Sequence, residues 1–358
     1  MEKDLNLLKN ECLAIGSLPH KDVNEAINIV KKYYNSVPFW PQLPKLSKKE
    51  DMTFQYLENM PGIVLDEDNE KVYLDMETPS FSEDLENLFI NYEEILENIN
   101  SELIDYYQIS AEFSRTFKPF LDFVKETKPH FAKGQITGPF TLATTLTDKE
   151  NKCAYYDETL REIIVKTLTM KALWQIKEIK RVSSQTTPII FIDEPTLSQL
   201  GTSAYVTIPP NEVISIIKEI SDLIQKNGAW SAIHCCGKCD WSIPLDVQMN
   251  IINFDAFSFA ENLSLYSNKL SEFLGNNGKI AWGIVPTLDK KALIETDLEQ
   301  IKEKYKKAKE LLISKGLSTE LVEENSLISP SCGCGSLSIE LAEKAIKLTK
   351  KLSESLKG

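Results

Sequence analysis

Short apolar runs punctuate this chain, and most are followed by a stretch in which apolar residues recur every three to four positions. The runs fall at 12–16, 37–40, 134–138, 188–192, 230–233, 256–259, 280–285 and 327–329. A run of four to seven apolar residues bounded by turn formers reads as a buried strand, and the longer periodic stretches read as amphipathic helices. Residues 22–34 form the first such helix. Later, Val213, Ile216, Ile217, Ile220, Leu223 and Ile224 share one face, with Asn211 as the expected cap after Pro209 and Pro210. Leu298, Ile301, Tyr305, Ala308, Leu311 and Leu312 repeat the pattern, as do Leu341, Ala345, Leu348 and Leu352.

Strand and helix in alternation predict an α/β protein with a parallel sheet and right-handed crossovers. Eight strands suit a single (β/α)8 TIM-type barrel over residues 1–358 better than an open doubly wound sheet. Residues 45–128 break the alternation and are expected as an α-rich insertion between strands two and three. Within it, residues 63–65 and 72–74 read as a hairpin turning through 66–71, and the acidic stretch 82–107 reads as helices.

Composition narrows the partners. A net charge of -13 argues against a nucleic-acid surface, which needs a basic patch. No run approaches the ~20 apolar residues of a membrane span. The stretch 1–10 alternates charge with leucine and lacks the apolar core of a signal peptide, so the cytoplasm is the expected compartment. Seven cysteines, three of them within 235–239, do not resemble a secreted disulfide framework; in a reducing compartment such clustering points to metal or redox chemistry.

The polar candidates all fall where the proposed strands end, the face on which barrel enzymes build their sites. They are Ser17, Asp193 and Glu194, His234 and Cys236, Glu261, and Cys332. Side chains two apart on a strand point the same way, so His234 and Cys236 offer a nitrogen and a sulfur to one ion, with Cys332 as third ligand. Mixed His and Cys ligation suits Zn²⁺, and three protein ligands leave a position for substrate. Glu261 reads equally as a fourth, displaceable ligand and as a loop charge. The competing arrangement is a four-sulfur knuckle of Cys236, Cys239, Cys332 and Cys334, with Cys235 or Cys239 otherwise a small buried hydrophobe. Asp193 and Glu194 read as catalytic carboxylates that bind a substrate ammonium or position a proton, or as a helix cap or turn. Gly333 and Gly335 lead into a helix capped by Ser336 or Ser338, where an anion could sit.

Five segments in order carry a family resemblance: Ile15-Gly16-Ser17-Leu18-Pro19, Thr137-Gly138-Pro139, Ile192-Asp193-Glu194-Pro195, His234-Cys235-Cys236 and Pro330-Ser331-Cys332-Gly333. The chain thereby resembles the C-terminal catalytic barrel of cobalamin-independent methionine synthase, within a wider barrel group that includes uroporphyrinogen decarboxylase. The His-x-Cys element with a distant Cys is also similar to that of methylcobalamin:coenzyme M methyltransferase. The resemblance implies a zinc-dependent S-methyltransferase of methionine biosynthesis, with zinc on His234, Cys236 and Cys332 and Glu261 as the acidic ligand. It implies that Ile15, Gly16 and Ser17 contact the amino-acid part of homocysteine and that Asp193 takes its ammonium. Two elements of the family pattern are missing. Val285-Pro286-Thr287 lacks the histidine that protonates a folate leaving group, and Trp40-Pro41-Gln42-Leu43-Pro44 lacks a second acid for homocysteine. A methyl-corrinoid protein, whose leaving group needs no proton, is therefore the expected donor. The other readings are a coenzyme M-type thiol methyltransferase, a decarboxylase of the porphyrinogen type, and a zinc- or corrinoid-binding protein without turnover. The decarboxylase would not need the three metal ligands and wants Arg and Asp where this chain has Leu18, Pro19 and His20.

Overall fold

The structure is a computed structural model that describes residues 7–66 and 71–357. An antiparallel hairpin, β1 (Ile63–Asp66) and β2 (Lys71–Leu74), stands apart from the main sheet; its turn, residues 67–70, and residues 1–6 of the N-terminal stretch lie outside the described residues. The main sheet has six parallel strands in sequential order: β3 (Phe131–Thr137), β4 (Thr187–Asp193), β5 (Trp230–Cys235), β6 (Ile251–Phe254), β7 (Lys279–Val285) and β8 (Ser326–Pro330). Helices join each strand to the next, and the sheet curls into a half-barrel. Every residue of β3, β6, β7 and β8 is buried, as expected for strands covered on both faces.

The two N-terminal apolar runs do not form ladders. Each touches an edge of the sheet through one parallel bridge, Cys12 with Ile328 of β8 and Phe39 with Lys133 of β3, and a third bridge joins Ser17 to Gln42. Prolines 38, 41 and 44 each remove a backbone donor, which limits pairing here to isolated bonds such as Trp40 N to Lys133 O at 2.9 Å.

The expected sixth strand needs correction. Residues 256–259 open the helix Ala256–Ser264, because the Asp255 carboxylate accepts from Ser258 N at 2.9 Å and caps it; the strand lies just upstream at Ile251–Phe254. Asn211 likewise is not a cap, since the helix Pro210–Lys226 starts at Pro210 with its fixed φ. The expected helices in 82–107 are present as Phe81–Glu97 and a 3-10 segment, Glu102–Tyr107. Among the described residues, no helix is long and apolar enough to cross a membrane.

Register fixes which side chains share the concave face. Lys133, Gln135 and Thr137 on β3 alternate with Gly134, where a Cβ would lie 2.2 Å from Gln175 of the helix Glu158–Val182 on the other face. Pairing of Thr137 with Asp193, Asp193 with His234, and His234 with Asn253 carries that face across β4, β5 and β6. Below this polar layer a separate apolar cluster gathers Leu13, Val37, Phe131, Ile189, Phe191, Ala232, Ile251, Ala281 and Leu327. The concave face therefore has an apolar floor and a polar layer above it, at the C-terminal ends of the strands.

Candidate metal centre

The ligand atoms of His234, Cys236 and Cys332 all lie within 4.8 Å of one another. His234 is the last-but-one residue of β5, Cys236 follows that strand, and Cys332 follows β8. A tetrahedral ion with 2.3 Å bonds to sulfur separates two thiolates by about 3.8 Å, so the observed spacing fits one zinc-sized ion after small side-chain movements.

The orientation of His234 is set by a residue that sequence reasoning missed. Nδ1 donates to Asn253 Oδ1 at 2.5 Å, while the Asn253 amide nitrogen donates to Ala281 O at 2.8 Å and Ser329 Oγ at 2.7 Å. A carbonyl can only accept, so Ala281 fixes which way the amide points, and the amide oxygen then keeps a proton on Nδ1. Nε2 is buried with no hydrogen-bond partner. An orphaned ring nitrogen beside two sulfurs is the arrangement a metal would complete. A buried Asn in the otherwise apolar run 251–254 was the available signal.

Electrostatics within the cluster are coupled. A hydrogen bond from Cys332 pulls the Cys236 thiol down to about 4, against burial and with help from His234. The same hydrogen bond, together with burial, pushes Cys332 well above the ordinary thiol range. Burial works against the His234 imidazolium, but the Cys236 sulfur and the Asp193 charge outweigh it and raise it to about 9. Cys332 is also fixed through its backbone. Thr287, at the position where the resemblance implies a histidine, donates from Oγ1 to Cys332 O at 2.9 Å and accepts from Cys332 N at 2.8 Å.

The other cysteines lie elsewhere. Cys239 pairs with Cys235 on the buried side of the strand, and Cys334 is buried with its thiol pushed up to about 12 by desolvation. Neither joins the cluster, so the four-sulfur knuckle is not formed. Glu261 sits exposed on the helix Ala256–Ser264 and is not among the residues brought together; its expected place followed from the misplaced sixth strand.

Asp193 and Glu194, adjacent in sequence, face different surroundings. Glu194 accepts from Phe140 N at 2.9 Å, Thr141 N at 2.8 Å and Thr141 Oγ1 at 2.6 Å, which caps the short helix Pro139–Thr145; burial nevertheless raises its carboxyl to about 7. Gly138 makes room for it, since a Cβ there would lie 2.0 Å from Glu194 Cδ. Asp193 is buried on the concave face with Oδ1 unpartnered, and burial raises its carboxyl while Lys133 and His234 pull the other way.

Ile15, Gly16 and Ser17 reach the same edge of the sheet. Ser17 O accepts from Cys334 N at 2.9 Å and Ser17 Oγ from Gly335 N at 3.2 Å, so the glycine loop after Cys332 grips Ser17 and not a free anion. At Gly333 a Cβ would lie 2.1 Å from Ser17 Oγ, which explains the glycine. The helix beyond is capped by Ser338, which accepts from Leu341 N at 3.2 Å.

The start of the 45–128 segment reaches the opposite edge of the sheet, at β3. Tyr56 donates to Gln135 O at 2.8 Å, Gln42 donates to Gln55 at 2.9 Å, and Thr137 donates to Met52 O. None of these contacts was legible from spacing.

No profile of a known protein family matches the chain. Orotidine 5′-monophosphate decarboxylase of Plasmodium berghei superposes over the whole chain and 98% of its own, but with a TM-score of 0.32 and 11% identity it bears on nothing further. A methionine synthase of Methanocaldococcus jannaschii is 30% identical over 217 residues, which is 60% of this chain and 62% of that protein, so the match spans less than two thirds of the relative's length. What the chain is similar to in sequence is therefore a methionine synthase.

Proposed function

We propose that this protein is a zinc-dependent S-methyltransferase that methylates a thiol, most plainly homocysteine to give methionine, with a methyl-corrinoid protein as donor. The observation that carries the reading is the convergence of His234, Cys236 and Cys332 around an orphaned, tautomer-fixed Nε2. Partial similarity to a methionine synthase supports the same reaction class.

The three side chains would hold the ion, with Asn253 and Thr287 orienting His234 and Cys332. Bound there, zinc would strip the proton from an incoming thiol and keep its sulfur nucleophilic. Asp193 offers an unpartnered, buried carboxylate oxygen to the acceptor's ammonium. Ile15, Gly16 and Ser17 position the amino-acid end, docked on the Cys332 loop. Glu194 acts through the helix it caps, as a positioning residue.

The architecture proposed with this function is one closed (β/α)8 barrel over 1–358, with 45–128 as an insertion beside the mouth. The single bridges at Cys12 and Phe39 and the apolar floor drawn from all eight segments support closure. All seven cysteines are free, which suits the reducing cytoplasm.

The test is to offer zinc-loaded protein homocysteine with methylcobalamin, a methylated corrinoid protein or methyltetrahydrofolate in separate reactions. Methionine formed from a corrinoid donor supports the proposal; methionine from the folate alone, or methylation only of 2-mercaptoethanesulfonate, rejects it in that form.

A further inference from the structure

A cavity lies at the other end of the strands from the metal centre, where β4 to β7 begin, and the proposed reaction does not use it. It measures about 800 Å³, a size usual for small-molecule sites. Leu245, Met249, Phe273 and the half-buried Trp230 supply its apolar wall, and Phe131 braces Trp230 with ring centres 5.2 Å apart. A Cβ at Gly278 would lie 2.5 Å from the Phe273 ring, so the glycine lets that wall form. At this end of a barrel, side chains ordinarily serve stability. Two amides in the cavity are not used up by that role.

Both amides are clamped on Ser231, the second residue of β5. Gln225 Nε2 donates to Ser231 Oγ at 2.9 Å and to Gln248 O at 3.1 Å, and Asn250 Oδ1 accepts from Ser231 N at 2.9 Å. A backbone carbonyl only accepts and a backbone N–H only donates, so both amides are fixed in orientation. Gln225 Oε1 and Asn250 Nδ2 are left over, with no partner among the described residues, and both residues line the cavity. One residue thus holds a free acceptor and a free donor beside an indole. The charged lining residues are not available to an anion. Lys269 pairs with Asp246, Glu272 adds a second carboxylate, and Lys180, whose Nζ nears Gly228, donates to Asn227 O at 2.8 Å. Among the described lining residues no unpaired cation remains to hold a phosphate.

We propose that this cavity binds an uncharged nucleoside through the lactam edge of its base. A flat ring with an N–H beside a C=O answers all three features at once. The base N–H would donate to Gln225 Oε1, the adjacent carbonyl would accept from Asn250 Nδ2, and the ring would stack on Trp230. The inference is independent of the metal centre and of the methyl-transfer reading.

The experiment is a ligand-observed NMR titration of the full chain with inosine, 1-methylinosine and inosine 5′-monophosphate. Inosine should bind. 1-Methylinosine, which lacks the N–H, should bind about tenfold more weakly, and the monophosphate should gain nothing from its phosphate. Asn250→Asp keeps the acceptor for Ser231 N but loses the free donor, and should weaken inosine by about tenfold. Trp230→Leu should weaken it by about tenfold through lost stacking. Thermal melting establishes that each variant is folded. Absence of inosine binding up to about 10 mM overturns the inference. So does equal binding of inosine and 1-methylinosine, tighter binding of the monophosphate, or undiminished binding by either folded variant. Should neither variant fold, the ligand series on wild type decides the question by itself.

Discussion

His234 and Cys236 sit at the end of β5, which is paired on both sides, and Cys332 follows the edge strand β8; beside them Ile15, Gly16 and Ser17 belong to a segment that meets the sheet through single bridges. The first group is held by the ladder and by short bonds from Asn253 and Thr287. The second is held by side chains and amides arriving from far along the chain: Lys133 on Ile15, and Cys334 and Gly335 on Ser17. Under the proposed function the contrast is the expected one. Metal donors would have to be fixed within a few tenths of an ångström, which strand ends provide, whereas a segment admitting a substrate would need fewer ladder bonds and would depend on clamps.

The sharpest way to break the comparison is to remove a ligand. Cys332→Ala should lose most bound zinc, measured by elemental analysis, and abolish thiol methylation, while Cys239→Ala and Cys334→Ala retain the metal. If zinc stays in Cys332→Ala and leaves with Cys334→Ala, the strand-end centre is not the metal site.

Next in size is the pH response of metal binding. At neutral pH the His234 imidazolium (about 9) and the Cys332 thiol, raised above its usual range, both hold protons that zinc must displace, whereas Cys236 (about 4) is already ionised. Two protons leave per ion, so by mass action affinity falls as pH falls, by about 100-fold per unit below those pKa values. A competition titration with a chromophoric chelator at pH 6.5 and 7.5 reads this slope; a pH-independent affinity contradicts the coupled cluster.

Asn253→Leu tests the rigid half at one remove. It strands the Nδ1–H of His234 and releases the tautomer, and should weaken zinc by about 10–100-fold, read in the same titration. On the acceptor side, Asp193→Asn should leave zinc content unchanged and lower kcat/KM for homocysteine by about tenfold or more. Loss of metal in that variant would show that the two halves are not separable. The smallest effect is expected at Gly138→Ala, where the added Cβ must displace Glu194 from its cap; about 1–3 kcal/mol of stability should be lost in a denaturant melt, with zinc retained.

Much of this was legible in the residues. Short apolar runs and period-3.6 patterning located five of the six sheet strands to within a few residues, the exception being β6. There the mostly apolar run at 256–259 outweighed Ile251–Phe254, because a short apolar run does not distinguish strand from helix start and the Asp255 cap was not weighed. Glu261, read as following that run, lies exposed on the helix Ala256–Ser264. The pair Asp193 and Glu194 could not be separated by spacing, since both end the same strand; only their partners show one capping a helix and the other facing the concave layer.

By itself the sequence determined the strand–helix alternation, the strand ends where chemistry gathers, and His234, Cys236 and Cys332 as the residues able to meet. Those depend on local period and on residue chemistry. Only the tertiary structure decided that Asn253 sets the His234 tautomer, that Thr287 brackets Cys332, that Lys133 reaches Ile15, and that Met52 and Tyr56 of the 45–128 segment pack against β3. These are contacts between residues from 19 to more than 100 positions apart in sequence. They depend on strand register and side-chain direction across the sheet, which local periodicity does not encode.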